Sequence, residues 1–212
     1  MAETFKLPTI YPITHGRLSG LSHLEQIRAL VEGGASIVQI RDKDASPREF
    51  FESAQECVEK NNVLVIVNDR VDVAMMTDAD GVHLGQDDLP PTEARKLLGP
   101  DAIIGFSTHT IEQAEAAIEL PVDYIAFGPI FSTATKSDHE GVVGIELLRK
   151  IRIRIGDFPL VAIGGIDLEN LQDVMEAGAD SVAMISEIVS DPAKIVENMR
   201  KALRMAEYAK KD

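Results

Sequence analysis

Short polar clusters close a series of apolar runs in this sequence, and their residue types suit the handling of phosphate groups. The run IVQIRDK carries Gln39, Arg41 and Lys43 at alternate positions. An extended backbone sets these three on one side and Ile40 and Asp42 on the other. Gln and Arg at the end of an apolar strand need partners there. A neighbouring carboxylate is the plain partner; an anionic ligand held by two cations is the functional one, favoured in so acidic a chain. The run VLVIVND ends in Asn68 and Asp69, and GVHLG is followed by Gln86, Asp87 and Asp88. Asp69 and Asp88 on neighbouring strand tips, about 5 Å apart, would supply the hard oxygen ligands of Mg²⁺, with substrate phosphate completing the shell. The alternative is that each Asp caps the helix after it, the commoner role for a lone Asp there.

Farther along, AIIGFST leads into His109 and Thr110. Ser107 either caps the next helix or donates to a ligand. His109 is the most base-like side chain, set against the plainer role of a hydrogen-bonding loop residue. The 17 residues from Gly128 to Gly144, GPIFSTATKSDHEGVVG, have the length of a lid or binding loop. Hydroxyls of Ser132, Thr133 and Thr135 with the Lys136 cation would line phosphate oxygens; a disordered surface loop is the alternative. Gly164-Gly165 and Ser186 end the last two runs, where backbone N–H groups form a phosphate cradle in many barrels. Residue types and spacing alone therefore predict Mg²⁺-assisted chemistry on two anionic groups. One meets the metal, Arg41, Lys43 and Lys136; the other meets Gly165 and Ser186.

Eight apolar or β-branched runs must position these clusters: 9–14, 33–40, 63–69, 78–85, 102–108, 121–128, 159–165 and 177–185. Four of them (GGASIVQI, DADGVHLG, PVDYIAFG and AGADSVAMI) share a small or acidic turn before a short strand. The first three recur at intervals of 44 and 43 residues, two strand–helix units per period. Helix signals fall between the runs. Ser22 with Glu25 forms a capping box that Gly33 ends; Ser46-Pro47 opens a helix with Phe50, Ala54, Cys57 and Val58 on one stripe. Asp167 with Asn170 opens another that ends at Gly178, and Asp191-Pro192 opens the last. Eight evenly spaced strands, apolar along their length and alternating with helices, predict a closed (β/α)8 TIM barrel of the α/β class, one domain over 1–212. An open doubly wound sheet is the runner-up, and no dinucleotide glycine fingerprint follows the first strand.

Composition agrees with a globular protein: 212 residues, 45% apolar and 26% charged. Lys+Arg 21 against Asp+Glu 35 leaves −14, a surface expected to repel nucleic acid and anionic membranes. No apolar run reaches the roughly 18 residues of a membrane span. The start lacks a basic segment before an apolar one, and the lone Cys57 has no disulfide partner, so a cytoplasmic protein is expected. A homo-oligomer is compatible with the sequence, which does not set the oligomeric state.

The ordered motifs VQIRDK, VNDRVDVA, GVHLGQDDLP, GFSTHT, FGPIF with STATK, AIGGI and SVAMIS resemble the thiamine-phosphate synthase (thiamine-phosphate pyrophosphorylase) family over about residues 9–188. The resemblance implies a (β/α)8 barrel and a transferase of thiamine biosynthesis. It would condense 4-amino-2-methyl-5-(diphosphooxymethyl)pyrimidine with 4-methyl-5-(2-phosphooxyethyl)thiazole, giving thiamine phosphate and pyrophosphate. It assigns Gln39, Arg41, Lys43, Asn68, Ser107 and Lys136 to the pyrimidine diphosphate, with Lys136, Arg41 and Ser107 in catalysis. Asp69 and Asp88 would bind Mg²⁺; Thr133, Ala134, Thr135, Gly165, Ile185 and Ser186 would hold the thiazole phosphate. The implied mechanism loses pyrophosphate first and traps a pyrimidine carbocation with the thiazole nitrogen, which needs leaving-group stabilisation more than a base. One position departs from the family pattern: His15 stands where an acid usually follows the first-strand Thr. The related thiazole tautomerases usually lack the paired aspartates and loop lysine. A catalytically silent phosphate-binding regulatory barrel is a further alternative. Another phosphosugar barrel would need an acid–base pair at the strand tips, and no convincing one is present.

Overall fold

β-Branched and apolar residues dominate each strand because both faces are covered. The computed structural model describes residues 5–133 and 141–209. Its strands are β1 (Ile10–Pro12), β2 (Ile37–Ile40), β3 (Leu64–Asn68), β4 (Gly81–Leu84), β5 (Ile103–Thr108), β6 (Tyr124–Phe127), β7 (Leu160–Ile163) and β8 (Ser181–Met184). The helices between and after them are α1 (His23–Glu32), α2 (Pro47–Glu59), α3 (Val71–Thr77), α4 (Pro91–Leu98), α5 (Ile111–Ala117), α6 (Gly144–Ile155), α7 (Leu171–Glu176), α8 (Ser186–Val189) and α9 (Ile195–Ala209). All strand pairs are parallel, in the order β1-β8-β7-β6-β5-β4-β3-β2. A bridge from Ile13 to Gln39 joins the two ends, with Thr14 N donating to Gln39 O at 2.9 Å. The sheet is the expected (β/α)8 barrel, not an open one. No helix among the described residues is long and apolar enough to cross a membrane.

Strand alternation sorts the interior into two cores. Tyr11, Ile13, Ile37, Ile66, Ile103, Tyr124, Val161 and Ala183 fill the barrel, while Ile10, Val38, Val67, Leu84, Ile104 and Phe127 pack outward against the helices. Ser22–Glu25 and Ser46–Glu49 both make the complete capping boxes that the sequence predicts. Two helix starts differ from expectation. Asp167 and Asn170 do exchange hydrogen bonds, each accepting the other's backbone N–H at 3.0 Å, but this closes a turn and α7 begins only at Leu171. Asp191 Oδ1 likewise accepts Ala193 N at 3.1 Å and α9 begins at Ile195. Side-chain oxygens of Asp compete with the helix for nearby N–H groups, which delays both starts.

The repeat seen in the sequence has a structural purpose. Asp80, Asp123 and Asp180 occupy the same place in three of the four repeated segments. Each accepts a backbone N–H from the strand before it: Val65 at 2.8 Å, Ile104 at 2.7 Å and Leu160 at 2.9 Å. Arg95 of α4 and Arg152 of α6 add ion pairs to Asp123 and Asp180 and donate to loop carbonyls around them. These clamps fix strand register at the N-terminal end of the barrel, opposite the polar tips.

Candidate active site

At the C-terminal ends of the strands the polar tips converge on one cleft. Gln39, Arg41, Lys43, Asn68, Asp69, Asp88, Ser107 and Thr133 all line it. Arg41 and Lys43 lie just beyond β2 and keep its alternation, while Asp42 turns the other way toward His23 on α1. Among the described residues no carboxylate is in salt-bridge contact with Arg41, which lines the cleft.

Neither aspartate is a helix cap. Arg70 occupies the N-cap of α3 and Pro90 that of α4, and neither position makes a side-chain cap bond. Asp69 instead sits in the left-handed region with φ 62°, where non-glycine residues are uncommon. Its N–H donates to His83 O at 2.8 Å and its carboxylate pairs with Lys43. Asp88 turns back so that Oδ2 accepts the Gly85 N–H at 2.6 Å. Burial raises the Asp88 carboxyl above its ordinary range; the Gly85 N–H draws it back, the nearby Asp69 carboxylate pushes it up, and Lys43 pulls it down. Two carboxylates thus lie close together at one end of the cleft, with Lys43 paired to Asp69. This hard-oxygen pair fits a divalent cation. No group of three or more His, Cys, Asp or Glu is gathered for a metal among the described residues, so ligand and water oxygens would fill the remaining positions.

Ser107 lies within β5, and the cap of α5 is Thr110, whose hydroxyl accepts Gln113 N at 3.2 Å. Ser107 Oγ is instead 2.9 Å from His83 Nε2. His109 lines the cleft, yet its Nδ1 is 2.7 Å from the Gly128 carbonyl, which fixes a proton there and ties β5 to the segment after β6. That segment is pinned at its stem: Ile130 N donates to Ile163 O and Phe131 N to Gly164 O, both at 2.9 Å. Ala134, Thr135 and Lys136 lie outside the described residues.

Gly165, Ile185 and Ser186 stand on the β7 and β8 tips but not on the cleft wall, where Gly164 and Ala183 appear in their stead. Gly165 has φ 63°, and a Cβ there would come within 2.5 Å of Ser132 O. The turn must be glycine to pass beneath the 128–133 segment. Ser186 opens the four-residue α8.

Sequence reasoning missed the polar floor of the cleft. Tyr11 and His83 are nearly fully buried and, with Tyr124, surround the predicted Gln39 in the barrel interior. A histidine in the middle of a strand covered on both faces was one signal, and Gly105 in the next strand was the second.

Comparison with known proteins settles the family. The sequence model described as Thiamine monophosphate synthase matches residues 10–188. The chain belongs to the thiamine monophosphate synthase family. It is 44% identical over 200 residues to the thiamine-phosphate synthase of Syntrophomonas wolfei, covering 92% of this chain and 94% of that one. Against the thiamine-phosphate synthase of Chloroflexus aurantiacus it is 46% identical over 185 residues, 85% of each. The solved thiamine phosphate pyrophosphorylase from Pyrococcus furiosus superposes with a TM-score of 0.83 at 35% identity, covering 95% of this chain and 96% of that one. As a member of this family the chain is an enzyme, a transferase of thiamine biosynthesis on a TIM barrel.

Proposed function

We propose that the chain condenses 4-amino-2-methyl-5-(diphosphooxymethyl)pyrimidine with 4-methyl-5-(2-phosphooxyethyl)thiazole, with Mg²⁺, to give thiamine phosphate and pyrophosphate. The observation that carries this reading is the convergence of Arg41, Lys43, Asp69, Asp88 and Ser107 on one cleft. Asp69 and Asp88 would hold the cation, which when bound neutralises charge on the diphosphate. Arg41 and Lys43 hold diphosphate oxygens and stabilise the charge that develops as the methylene–oxygen bond breaks. Gln39, Asn68 and Ser107 orient the pyrimidine end. The thiazole nitrogen then bonds the exposed methylene carbon. No proton leaves a carbon in this sequence, which accords with His109 spending Nδ1 on the Gly128 carbonyl. Thr133, Ala134, Thr135, Gly165, Ile185 and Ser186 are assigned to the thiazole phosphate, and Lys136 to the pyrimidine diphosphate. A cytoplasmic setting belongs to the same proposal and suits the single, buried Cys57.

Purified protein mixed with both substrates and Mg²⁺ should form thiamine phosphate, followed by fluorescence after oxidation, and chelation of the metal should abolish it. Binding of both substrates without product would identify a silent barrel. Absence of both binding and product would remove the substrate assignment.

A further inference from the structure

Beneath the cleft runs a chain of buried hydrogen bonds whose inner members, Tyr11, Tyr124 and His83, the proposed reaction does not use. Gln39 Nε2 donates to the Tyr11 hydroxyl at 3.3 Å, and Tyr11 and Tyr124 hydroxyls lie 2.9 Å apart. Tyr124 is 3.0 Å from His83 Nδ1, and His83 Nε2 is 2.9 Å from Ser107 Oγ. Of its members, Gln39 at one end and Ser107 at the other are assigned above to touch substrate.

The direction of the chain follows from counting protons. Tyr11 takes a proton from Gln39, and among the described residues its own O–H has one acceptor, Tyr124. Tyr124 then passes its O–H to His83 Nδ1. A ring nitrogen that accepts carries no proton, so His83 holds its hydrogen on Nε2 and donates to Ser107. The reverse order would strand the Tyr11 O–H without an acceptor inside the barrel, where polar hydrogens are seldom left unpaired. Burial pushes both phenols far above their ordinary range, so both remain protonated donors. The packing is committed to this arrangement. The His83 ring stacks on Tyr124 at 5.6 Å, and Gly105 leaves the room: a Cβ there would fall 2.1 Å from Tyr124 Cζ and 2.5 Å from His83 Nδ1.

We propose that Tyr124, supported by Tyr11, is a positioning residue that sets the tautomer of His83 and thereby points the Ser107 hydroxyl proton into the cleft. Ser107 accepts from His83 and is left with one donor, aimed toward an oxygen or nitrogen of the bound substrate beside Arg41 and Lys43. This inference rests on the functional reading only in giving Ser107 a substrate to meet. A fixed donor needs no reorientation as charge develops, which is how such a group contributes to rate more than to binding.

The test uses the full chain with ¹⁵N-labelled histidine, His83 being assigned by the signal lost in His83→Gln. The expected spectrum of the wild type has His83 Nδ1 unprotonated and Nε2 protonated, whereas Tyr124→Phe shifts both nitrogens toward a mixture of tautomers. In the same variant kcat, measured well below the melting temperature, should fall about tenfold with KM little changed. The double variant Tyr124→Phe/Ser107→Ala should be no slower than Ser107→Ala alone, since both remove the same directed proton. Should Tyr124→Phe fail to fold, Tyr11→Phe leaves the Tyr124 O–H with His83 Nδ1 as its one acceptor among the described residues and should keep the wild-type tautomer, so tautomer mixing in Tyr11→Phe would overturn the proposal. A wild-type His83 protonated at Nδ1, or effects of the two substitutions that multiply, would overturn the proposal. A wild type that makes no thiamine phosphate would sink the functional reading instead, and the tautomer spectrum would still report on the proton chain.

Discussion

Asp69 and Asp88 carry the most information per residue. A left-handed Asp69 costs on the order of 1 kcal/mol, and its surroundings over-determine it through the His83 carbonyl and Lys43. Strain of this kind is retained where a carboxylate must lie close to a particular neighbour, here Asp88. Asp88→Asn keeps an oxygen for the Gly85 N–H but removes one charge. The Mg²⁺ concentration for half-maximal rate should rise roughly 10–100-fold, and an unchanged metal titration would leave Asp88 as a loop tie. Lys136→Ala should cut turnover sharply while leaving the melting temperature in place; an equally active variant would take Lys136 out of the reaction. Arg41, Lys43, Asp69 and Asp88 were readable from the sequence because a charge closing an apolar run must meet a partner or a ligand. His83 and Tyr11 were not: a buried polar side chain is recognised by its partners, and these come from strands 24 to 113 positions away in the chain.

At the scale of elements, the strand tips and the strand starts divide the labour. Tips carry the cleft, and starts carry the Asp80, Asp123 and Asp180 clamps. Asp123 Oδ2 serves both the Ile104 N–H and Arg95, so Asp123→Ala leaves a strand donor unpaired and the Arg95 guanidinium without its counter-charge, held by loop carbonyls alone. The expected loss is about 1–3 kcal/mol of stability, read as a lower urea midpoint with kcat of the folded protein unchanged. A drop in kcat without one in stability would contradict the division. The sequence disclosed the repeat but not its meaning, since an aspartate in a turn before a strand bonds locally as readily as across the sheet. The same ambiguity displaced the expected starts of α7 and α9, where Asp167 and Asp191 closed turns of their own.

For the molecule as a whole, closure of the barrel creates one buried titratable site that no single element contains. Thr14 after β1 and His23 on α1 meet at 2.6 Å through Nδ1, while His23 Nε2 lies 3.7 Å from Asp42 Oδ2 and makes no hydrogen bond among the described residues. Burial lowers His23 below its ordinary 6.5, with Asp42 opposing and His15 assisting. The folded state therefore keeps His23 neutral where the unfolded chain begins to take up a proton. That contribution to stability is full above pH 6.5, declines as the pH drops below it, and is gone once the pH has passed the lowered folded value. Melting temperature should fall between pH 7 and pH 5, and His23→Gln should show a shallower fall from a lower start; parallel curves would exclude His23 as the cause. By itself the sequence determined the eight strand–helix units, the barrel, the family and the charged residues of the cleft, because hydrophobic period, helix caps and clustered charge are local properties. Only the tertiary structure decided that Asp69 and Asp88 lie close together instead of capping helices, that Gly165, Ile185 and Ser186 stand off the cleft wall, and that Tyr11, Tyr124, His83 and Ser107 form one chain. Each of these depends on which side chains a closed sheet brings opposite one another, and that is set by strand register and curvature across the whole barrel.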